Sequence, residues 1–168
     1  RKVIGIGGID AHAHKYNLVG FLEVEIFPYK VLFKSIRTHI LVDEEIKKGK
    51  SEKDIEKAKW QIYNALKDGK CFVANDYVAE SKGFRFYAEL NGKKYQMGDS
   101  IPDHKNITFK VLIPGITAEI KLIRNGRVIE TNNGMDAEFV INKKGAYRIE
   151  VYFEERAWIY SNHIRVNI

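Results

Sequence analysis

The chain has 168 residues, of which 45% are hydrophobic, and this allows one large domain or two small ones with packed cores. Its net charge of +6 favours anionic partners, but the lysines are scattered rather than clustered, so no nucleic-acid partner is expected. A single cysteine excludes an internal disulfide and fits a reducing cytoplasm, where we place the protein, and no apolar run reaches the ~18 residues of a membrane-spanning helix.

The first segment, residues 3–9, consists of β-branched residues and glycines, and this composition predicts a buried strand. The glycines at positions 5, 7 and 8 are expected to allow close packing of the backbone. Asp10 follows the segment, and His12 and His14 come next at steps of two residues. In an extended chain, Asp10 and His12 face the same side, about 6.7 Å apart at the backbone.

Asp10 and His12 are therefore candidate ligands of one divalent metal ion. Their mixture of oxygen and nitrogen donors suits zinc, manganese or iron better than calcium or magnesium. His14 is a further candidate, but it lies roughly 13 Å from Asp10 in an extended chain and would need a turn or a second metal ion. The alternative interpretation is a strand end with solvated polar residues and no metal.

Short extended pieces are predicted between this segment and residue 50. Alternating apolar residues at 21–27 indicate a half-exposed strand or an ordered loop, and residues 29–36 are open between helix and extended chain. Residues 38–42 predict a strand, and His39 at its start is interpreted as a structural residue rather than a neighbour of a metal. Residues 43–50 predict a solvated loop.

The clearest helix is predicted to begin after Ser51, which forms a capping-box pattern with Asp54. Gly69 is placed to end the helix in the left-handed conformation. An apolar stripe at helical spacing is expected to pack on the rest of the first half of the chain, and it consists of Ile55, Ala58, Ile62 and Leu66. The alternative is an exposed helix that binds a partner. The run from Cys71 to Ala74 then predicts a strand with a buried, structural thiol, and a helix leading directly into a strand is typical of α/β architecture.

From about Gly83 the apolar residues alternate with a period of two, and the last such run is Ile164, Val166 and Ile168. Asn-Gly pairs at 91–92, 125–126 and 133–134 supply turn signals, of which the one at 125–126 is a strong hairpin signal. Many short strands with turns at this spacing indicate an antiparallel β-sandwich of immunoglobulin-like type, without an inter-sheet disulfide.

Two aromatic residues near the end of the chain, Trp158 and Tyr160, are interpreted as core or sheet-surface residues. The alternative, a stacking platform for a sugar or a base, requires their rings to be exposed.

The stretch Gly7-Gly8-Ile9-Asp10-Ala11-His12-Ala13 resembles the C-terminal portion of PHP-domain proteins, which are metallohydrolases of the polymerase and histidinol phosphatase type. Four further stretches share the resemblance: residues 27–29, 37–41, 69–76 and 158–162. Two residues depart from the family pattern, because Ile9 stands where a serine is common and His163 stands where a proline is common.

The resemblance implies an α+β organisation in which residues 1–80 are a partial α/β barrel remnant and residues 81–168 an immunoglobulin-like β-sandwich. In that family the segment closes a distorted barrel, and its Asp and His, which correspond here to Asp10 and His12, are the last metal ligands. The other ligands lie upstream in the family. The chain, which starts with Arg1, is therefore expected to be a fragment with an incomplete metal site.

The function that the resemblance implies is metal-dependent hydrolysis of a phosphate ester, with a phosphorylated small molecule as substrate. The chain alone is expected to be inactive, and its first partner is the missing N-terminal barrel portion of the same protein. A homodimer is a further prediction, through the unpaired edge of the first strand. The alternative function is a non-catalytic β-sandwich module that binds a partner or has a structural role.

Overall fold

The computed structural model describes residues 2–46, 49, 51–103 and 105–167. Ile168 of the predicted last strand and residues 47, 48 and 50 of the predicted loop lie outside the described residues. The elements, in chain order, are β1 (His14–Leu18), β2 (Leu22–Ile26), α1 (Tyr29–Leu32), β3 (Ile36–Ile40), α2 (Glu52–Asp68), β4 (Cys71–Asn75), β5 (Arg85–Leu90), β6 (Lys93–Gln96), β7 (Ser100–Ile101), β8 (Ile107–Leu112), β9 (Ala118–Arg124), β10 (Arg127–Gly134), β11 (Asp136–Ile141), β12 (Gly145–Phe153), β13 (Arg156–Ser161) and β14 (Ile164–Val166).

Within the described residues, the strands form three sheets that are almost wholly antiparallel. The large sheet has the order β10-β9-β12-β13-β4-β3, and β14 joins it by pairing with β12 and, in parallel, with β7. The small sheet has the order β11-β8-β5-β6, and β1 and β2 form a separate hairpin. The large sheet contains strands from both sides of the predicted boundary near residue 80, because β4 pairs with β13. The two-domain division and the barrel remnant stay predictions.

The large and small sheets pack face to face, as in a β-sandwich, because each presents one apolar face. In β8 and β12 the alternate residues are buried, as the period of two in the sequence predicts. Phe109 of β8 and Tyr147 of β12 meet in the core with their ring centroids 5.0 Å apart. We refer to these two packed sheets as the β-sandwich.

Helix α2 begins and ends as the sequence predicts. The Ser51 side chain accepts a hydrogen bond from the Asp54 N–H, and Gly69 ends the helix with φ of 74°. The predicted packing is only partial: Ala65 is its one buried residue, and Ile55 of the predicted stripe is exposed. Residues 29–36, which periodicity leaves open, contain the short helix α1. No helix in the described part of the chain has the length and apolar character needed to cross a membrane.

The Asn-Gly signals are correct in two of three places. Asn91-Gly92 and Asn125-Gly126 have positive φ at both positions and connect β5 to β6 and β9 to β10. The prediction of a turn at Asn133-Gly134 is wrong, because both residues extend β10 and Gly134 pairs with Ala118.

The predicted buried strand at residues 3–9 is also wrong. Residues 2–13 contain neither helix nor strand, and the side chains of Val3 and Ile6 are exposed. No strand among the described residues pairs with this segment, and its backbone is instead bound by side chains. The alternation at 21–27 does form a strand, β2, which pairs with β1 across a turn at Val19-Gly20.

Candidate functional site

Asp10 and His12 lie at the end of the N-terminal segment, and both project into solvent. Their side chains are 96% and 63% exposed, and Oδ1 of Asp10 is 3.7 Å from Nδ1 of His12. Asp10 has a φ of 44°, a left-handed conformation that aspartate tolerates better than most residues. This turn interrupts the extended chain on which the predicted spacing of the two residues was based.

His12 is oriented by its own segment. Its Nδ1 lies 2.8 Å from the backbone oxygen of Asp10. Because a carbonyl oxygen only accepts hydrogen bonds, this contact places a proton on Nδ1, and in the neutral imidazole Nε2 then carries the lone pair. Histidines that bind metals usually donate their second ring N–H in this way.

His14 does not join Asp10 as a converging donor. It is the first residue of β1, and its ring stacks on that of His12 with centroids 5.9 Å apart and an interplanar angle of 6°. The donor lone pairs of the two rings therefore lie in nearly parallel planes. Two imidazoles on one tetrahedral ion would instead point their lone pairs at a common centre.

The donor set fits a metal ion in part. Asp10 offers a solvent-exposed carboxylate and the neutral His12 ring an Nε2 lone pair, which are donor types that zinc, manganese and iron accept. The carboxylate lies beside Nδ1 of His12, at 3.7 Å, and not beside Nε2. A catalytic zinc site takes about three protein ligands. Within residues 2–46, 49, 51–103 and 105–167, no group of three His, Cys, Asp or Glu side chains is placed to hold a metal ion.

We compared the chain with protein-family models, with curated proteins and with solved structures. None of them matches it.

The segment that carries Asp10 is attached to the β-sandwich by side chains. The Gly5 N–H donates to Oδ1 of Asn162 at 2.8 Å, and Nδ2 of Asn162 donates to the Gly5 oxygen at 3.0 Å. The Gly7 N–H donates to Oγ1 of Thr38 at 2.9 Å. Near the start of the chain, Nζ of Lys2 donates to backbone oxygens at the end of α2 and in the β6–β7 turn.

A second polar cluster, formed by His39, Asp76 and Ser81, lies at the edge of the large sheet. Nε2 of His39 is 2.9 Å from Oδ2 of Asp76 and 3.1 Å from Oγ of Ser81, and this hydroxyl also donates to Oδ1 of Asp76 at 2.5 Å. In a catalytic triad the serine and the carboxylate bind opposite ring nitrogens. Here both approach the same nitrogen and Ser81 is fully buried, so the cluster has the geometry of a structural network.

Sequence reasoning considered only His39 of this cluster, as a structural residue, and its partners match that interpretation. Nothing in the sequence indicated that Asp76 and Ser81 would contact His39, because they lie 37 and 42 residues away along the chain. The ring of His39 also stacks on the ring of Phe72, a core residue, with centroids 4.7 Å apart. This contact holds the His39 ring at the edge of the core.

Cys71 is buried, as the sequence predicts. Burial raises the pKa of its thiol, while a hydrogen bond from Asn162 acts in the opposite direction. A thiol with a raised pKa is a poor nucleophile and a poor metal ligand at neutral pH. Cys71 therefore contributes packing rather than chemistry.

Trp158 cannot form part of a stacking platform for a sugar or a base, because its ring is buried. Trp158 is 1% exposed and its Nε1 donates to the backbone oxygen of Ala79 at 2.8 Å. Tyr160 is 39% exposed, but its ring packs edge-on against Tyr152. Trp158 is a core residue of the sandwich.

Proposed function

We propose that this chain is the C-terminal part of a PHP-type metal-dependent phosphoesterase and that Asp10 and His12 supply two of its metal ligands. The observation that carries the proposal is the combination of free donors with an unusually apolar surface in the same region. A partial donor set beside such a surface is what a site shared with another polypeptide segment requires. The partner that we propose is the N-terminal barrel portion of the same protein.

The apolar surface lies within residues 3–33, where no side chain is buried. Val19 is 83% and Phe21 87% exposed, and the other exposed apolar or aromatic side chains of this region are Val3, Ile6, Tyr16, Leu18, Leu22, Ile26, Phe27, Tyr29, Val31 and Phe33. Together they expose on the order of 1,000 Å², which is comparable with the ~800 Å² that each partner contributes to a standard interface. So many exposed apolar side chains along one stretch of the chain favour an interaction with a partner.

The β1–β2 hairpin supports the same conclusion. An isolated two-stranded hairpin is only marginally stable in water, and it gains stability by packing against other elements. Every residue of β1 is exposed, and β2 contains one partly buried residue, Val24. The hairpin therefore has two faces available to a partner.

When bound, a divalent metal ion would polarise the phosphoryl oxygens and lower the pKa of a bound water. The contribution of this chain would be to hold the ion through the carboxylate of Asp10 and Nε2 of His12. The hydrogen bond from Nδ1 of His12 to the Asp10 oxygen fixes the tautomer that this role needs. With two ligands the chain alone is expected to bind metal weakly and to hydrolyse nothing.

We also propose that the β-sandwich is of the immunoglobulin-like type. The hydroxyl of Tyr147, at the start of β12, donates to the backbone oxygen of Lys143 at 2.5 Å. A tyrosine whose hydroxyl forms a hydrogen bond with the backbone a few residues upstream is a recurring feature of immunoglobulin-like folds. A crystal structure in which the strand order departs from the immunoglobulin pattern would overturn the assignment.

A calorimetric titration of the full chain with Zn²⁺ and with Mn²⁺ tests the metal proposal. We expect weak binding that disappears in the double variant Asp10→Asn, His12→Ala and persists in Asp136→Asn, which changes an exposed aspartate of β11. Equal binding by the double variant and the wild type would overturn the assignment of the ligands. Tight stoichiometric binding together with hydrolysis of p-nitrophenyl phosphate would show that the site is complete in this chain.

The alternative function, a non-catalytic β-sandwich binding module, is favoured by the solvent exposure of Asp10 and by a cleft of about 630 Å³ on the outer face of the small sheet. Tyr87 lies in this cleft beside Lys94, whose Nζ is 4.8 Å from the ring centroid. Another lysine of the cleft, Lys110, is paired with both Glu89 and Glu138. The absence of any metal binding in the titration would favour this alternative.

A further inference from the structure

Two side chains of the β-sandwich take the place of a neighbouring strand along the N-terminal segment. At Gly5, the carboxamide of Asn162 binds both the N–H and the C=O of the backbone. At Gly7, the hydroxyl of Thr38 accepts from the N–H and donates to the C=O, at 2.9 and 3.3 Å. The two bonded residues are two apart, which is the spacing at which an extended chain directs its backbone groups to one side.

Asn162 itself is rigidly held. It is 5% exposed, and its Nδ2 also donates to the backbone oxygen of Cys71 at 2.9 Å. A buried carboxamide with all these partners has one favourable orientation, because rotation would leave Gly5 or Cys71 with an unpaired group. The orientation of Gly5 is therefore set by β4 and by the loop between β13 and β14.

Gly7 lies directly against the large sheet. A Cβ at this position would lie 2.6 Å from Cγ1 of Val73 and 2.9 Å from Cγ2 of Ile36. At the next residue, Gly8, a Cβ would meet no atom within 4 Å. A methyl group at residue 7 would therefore displace the segment or these two side chains, whereas residue 8 has room for one.

We propose that Asn162, Thr38 and Gly7 are positioning residues for the metal ligands Asp10 and His12, a role that rests on the proposed function. Asp10 follows Gly7 by three residues. The hydrogen bonds at Gly5 and Gly7 therefore fix the position of the chain just before Asp10 relative to the large sheet. The β-sandwich thereby acts as a platform for the metal site. The effect on the ligands is expected to resemble that of outer-shell partners, whose loss typically lowers metal affinity 10- to 100-fold.

The test compares Gly7→Ala with Gly8→Ala, which add the same methyl group on neighbouring residues. Three quantities are measured on the full chain: amide hydrogen exchange at residues 5 and 7, the NMR signals of the His12 ring without metal, and Zn²⁺ affinity by calorimetry. Gly7→Ala should speed exchange, shift or broaden the His12 signals and lower the affinity about tenfold. Gly8→Ala, although it is closer to His12, should change all three less.

Asn162→Asp gives an independent perturbation, because it keeps one oxygen acceptor for the Gly5 N–H and removes the donor for the Gly5 and Cys71 oxygens. It should release the segment in the same way as Gly7→Ala. Faster exchange at residues 5 and 7 with unchanged His12 signals would overturn the positioning role, whether or not metal binds. No Zn²⁺ binding by the wild type, with His12 signals that respond as expected, would overturn the proposed function and leave the platform intact.

Discussion

Oδ2 of Asp76 lies 2.9 Å from Nε2 of His39, where the first residue after β4 faces the edge strand β3. The Asp76 carboxylate is 5% exposed and also accepts hydrogen bonds from Ser81 and Arg37. One carboxylate therefore binds three side chains from two parts of the sequence, since Arg37 and His39 both belong to β3 and Ser81 follows β4. We expect it to be a main determinant of how β3, β4 and the following loop fit together.

Asp76→Ala should lower the free energy of unfolding by about 2–4 kcal/mol, because it leaves the buried Ser81 and the partly buried His39 without their acceptor. Urea denaturation measures the change. The control is Glu45→Ala, at an exposed glutamate, which should stay within about 0.5 kcal/mol of the wild type. A loss as small as that of the control would mean that the cluster contributes nothing to stability.

His163 should make the protein less stable in mild acid. Burial lowers the pKa of its imidazole below the ordinary value of 6.5, and the positive charges of Arg165, Lys2 and Arg148 act in the same direction. The unfolded chain then binds more protons than the folded one, so stability is full above about pH 6.5 and decreases as the pH falls toward the folded pKa.

Urea midpoints measured between about pH 5 and pH 8 test this dependence. His163→Gln should flatten the acid part of the curve. Arg165→Gln should flatten it partly, since it removes a charge that opposes protonation but leaves the burial. An unchanged acid slope in His163→Gln would assign the dependence to another group.

Cys71 should resist alkylation in the folded protein. Its side chain is 0% exposed and burial raises the pKa of its thiol, so both access and the thiolate fraction are low. We expect iodoacetamide to label it only as fast as the sheet opens, and rapidly in denaturant, as followed by mass spectrometry. Asn162→Ala, which removes a neighbour of the sulfur at 3.0 Å, should speed the labelling. Native labelling at the denatured rate would contradict the burial.

The parts of the fold that were predictable from sequence have local causes. The limits of α2 follow from Ser51 and Gly69, and two hairpins follow from Asn-Gly pairs whose φ values the strand twist demands. The turn between β12 and β13 carried no such signal, because Glu154 and Glu155 adopt positive φ there. Glutamate rarely takes this conformation, so composition gave no reason to expect a turn.

The candidate site was predictable only as a set of residue types. Sequence spacing brought Asp10 and His12 together, but the turn at Asp10 and the parallel ring of His14 depend on local backbone conformation. The predicted strand at residues 3–9 failed because an apolar run specifies a strand only if a neighbouring strand is available. Asn162, which binds that run, is more than 150 residues away in sequence.

The exposed apolar surface of residues 3–33 should make the isolated chain self-associate. Phe21, at 87% exposure next to the hairpin turn, is its most exposed aromatic side chain among the described residues. Burial of such a ring between two copies gains about 1.5–3 kcal/mol relative to solvent exposure. Sedimentation velocity of the wild type should therefore show a concentration-dependent dimer, and Phe21→Ser should weaken it roughly tenfold or more.

The matched control is Tyr77→Ser, which removes an aromatic ring that is 71% exposed outside this surface. This variant should dimerise like the wild type, because the site of contact rather than total apolar exposure determines association. If Phe21→Ser and Tyr77→Ser weaken dimerisation equally, association is non-specific and does not depend on the surface of residues 3–33. A wild type that stays monomeric at every concentration would show that the surface is not self-complementary, which leaves a different polypeptide segment as its occupant.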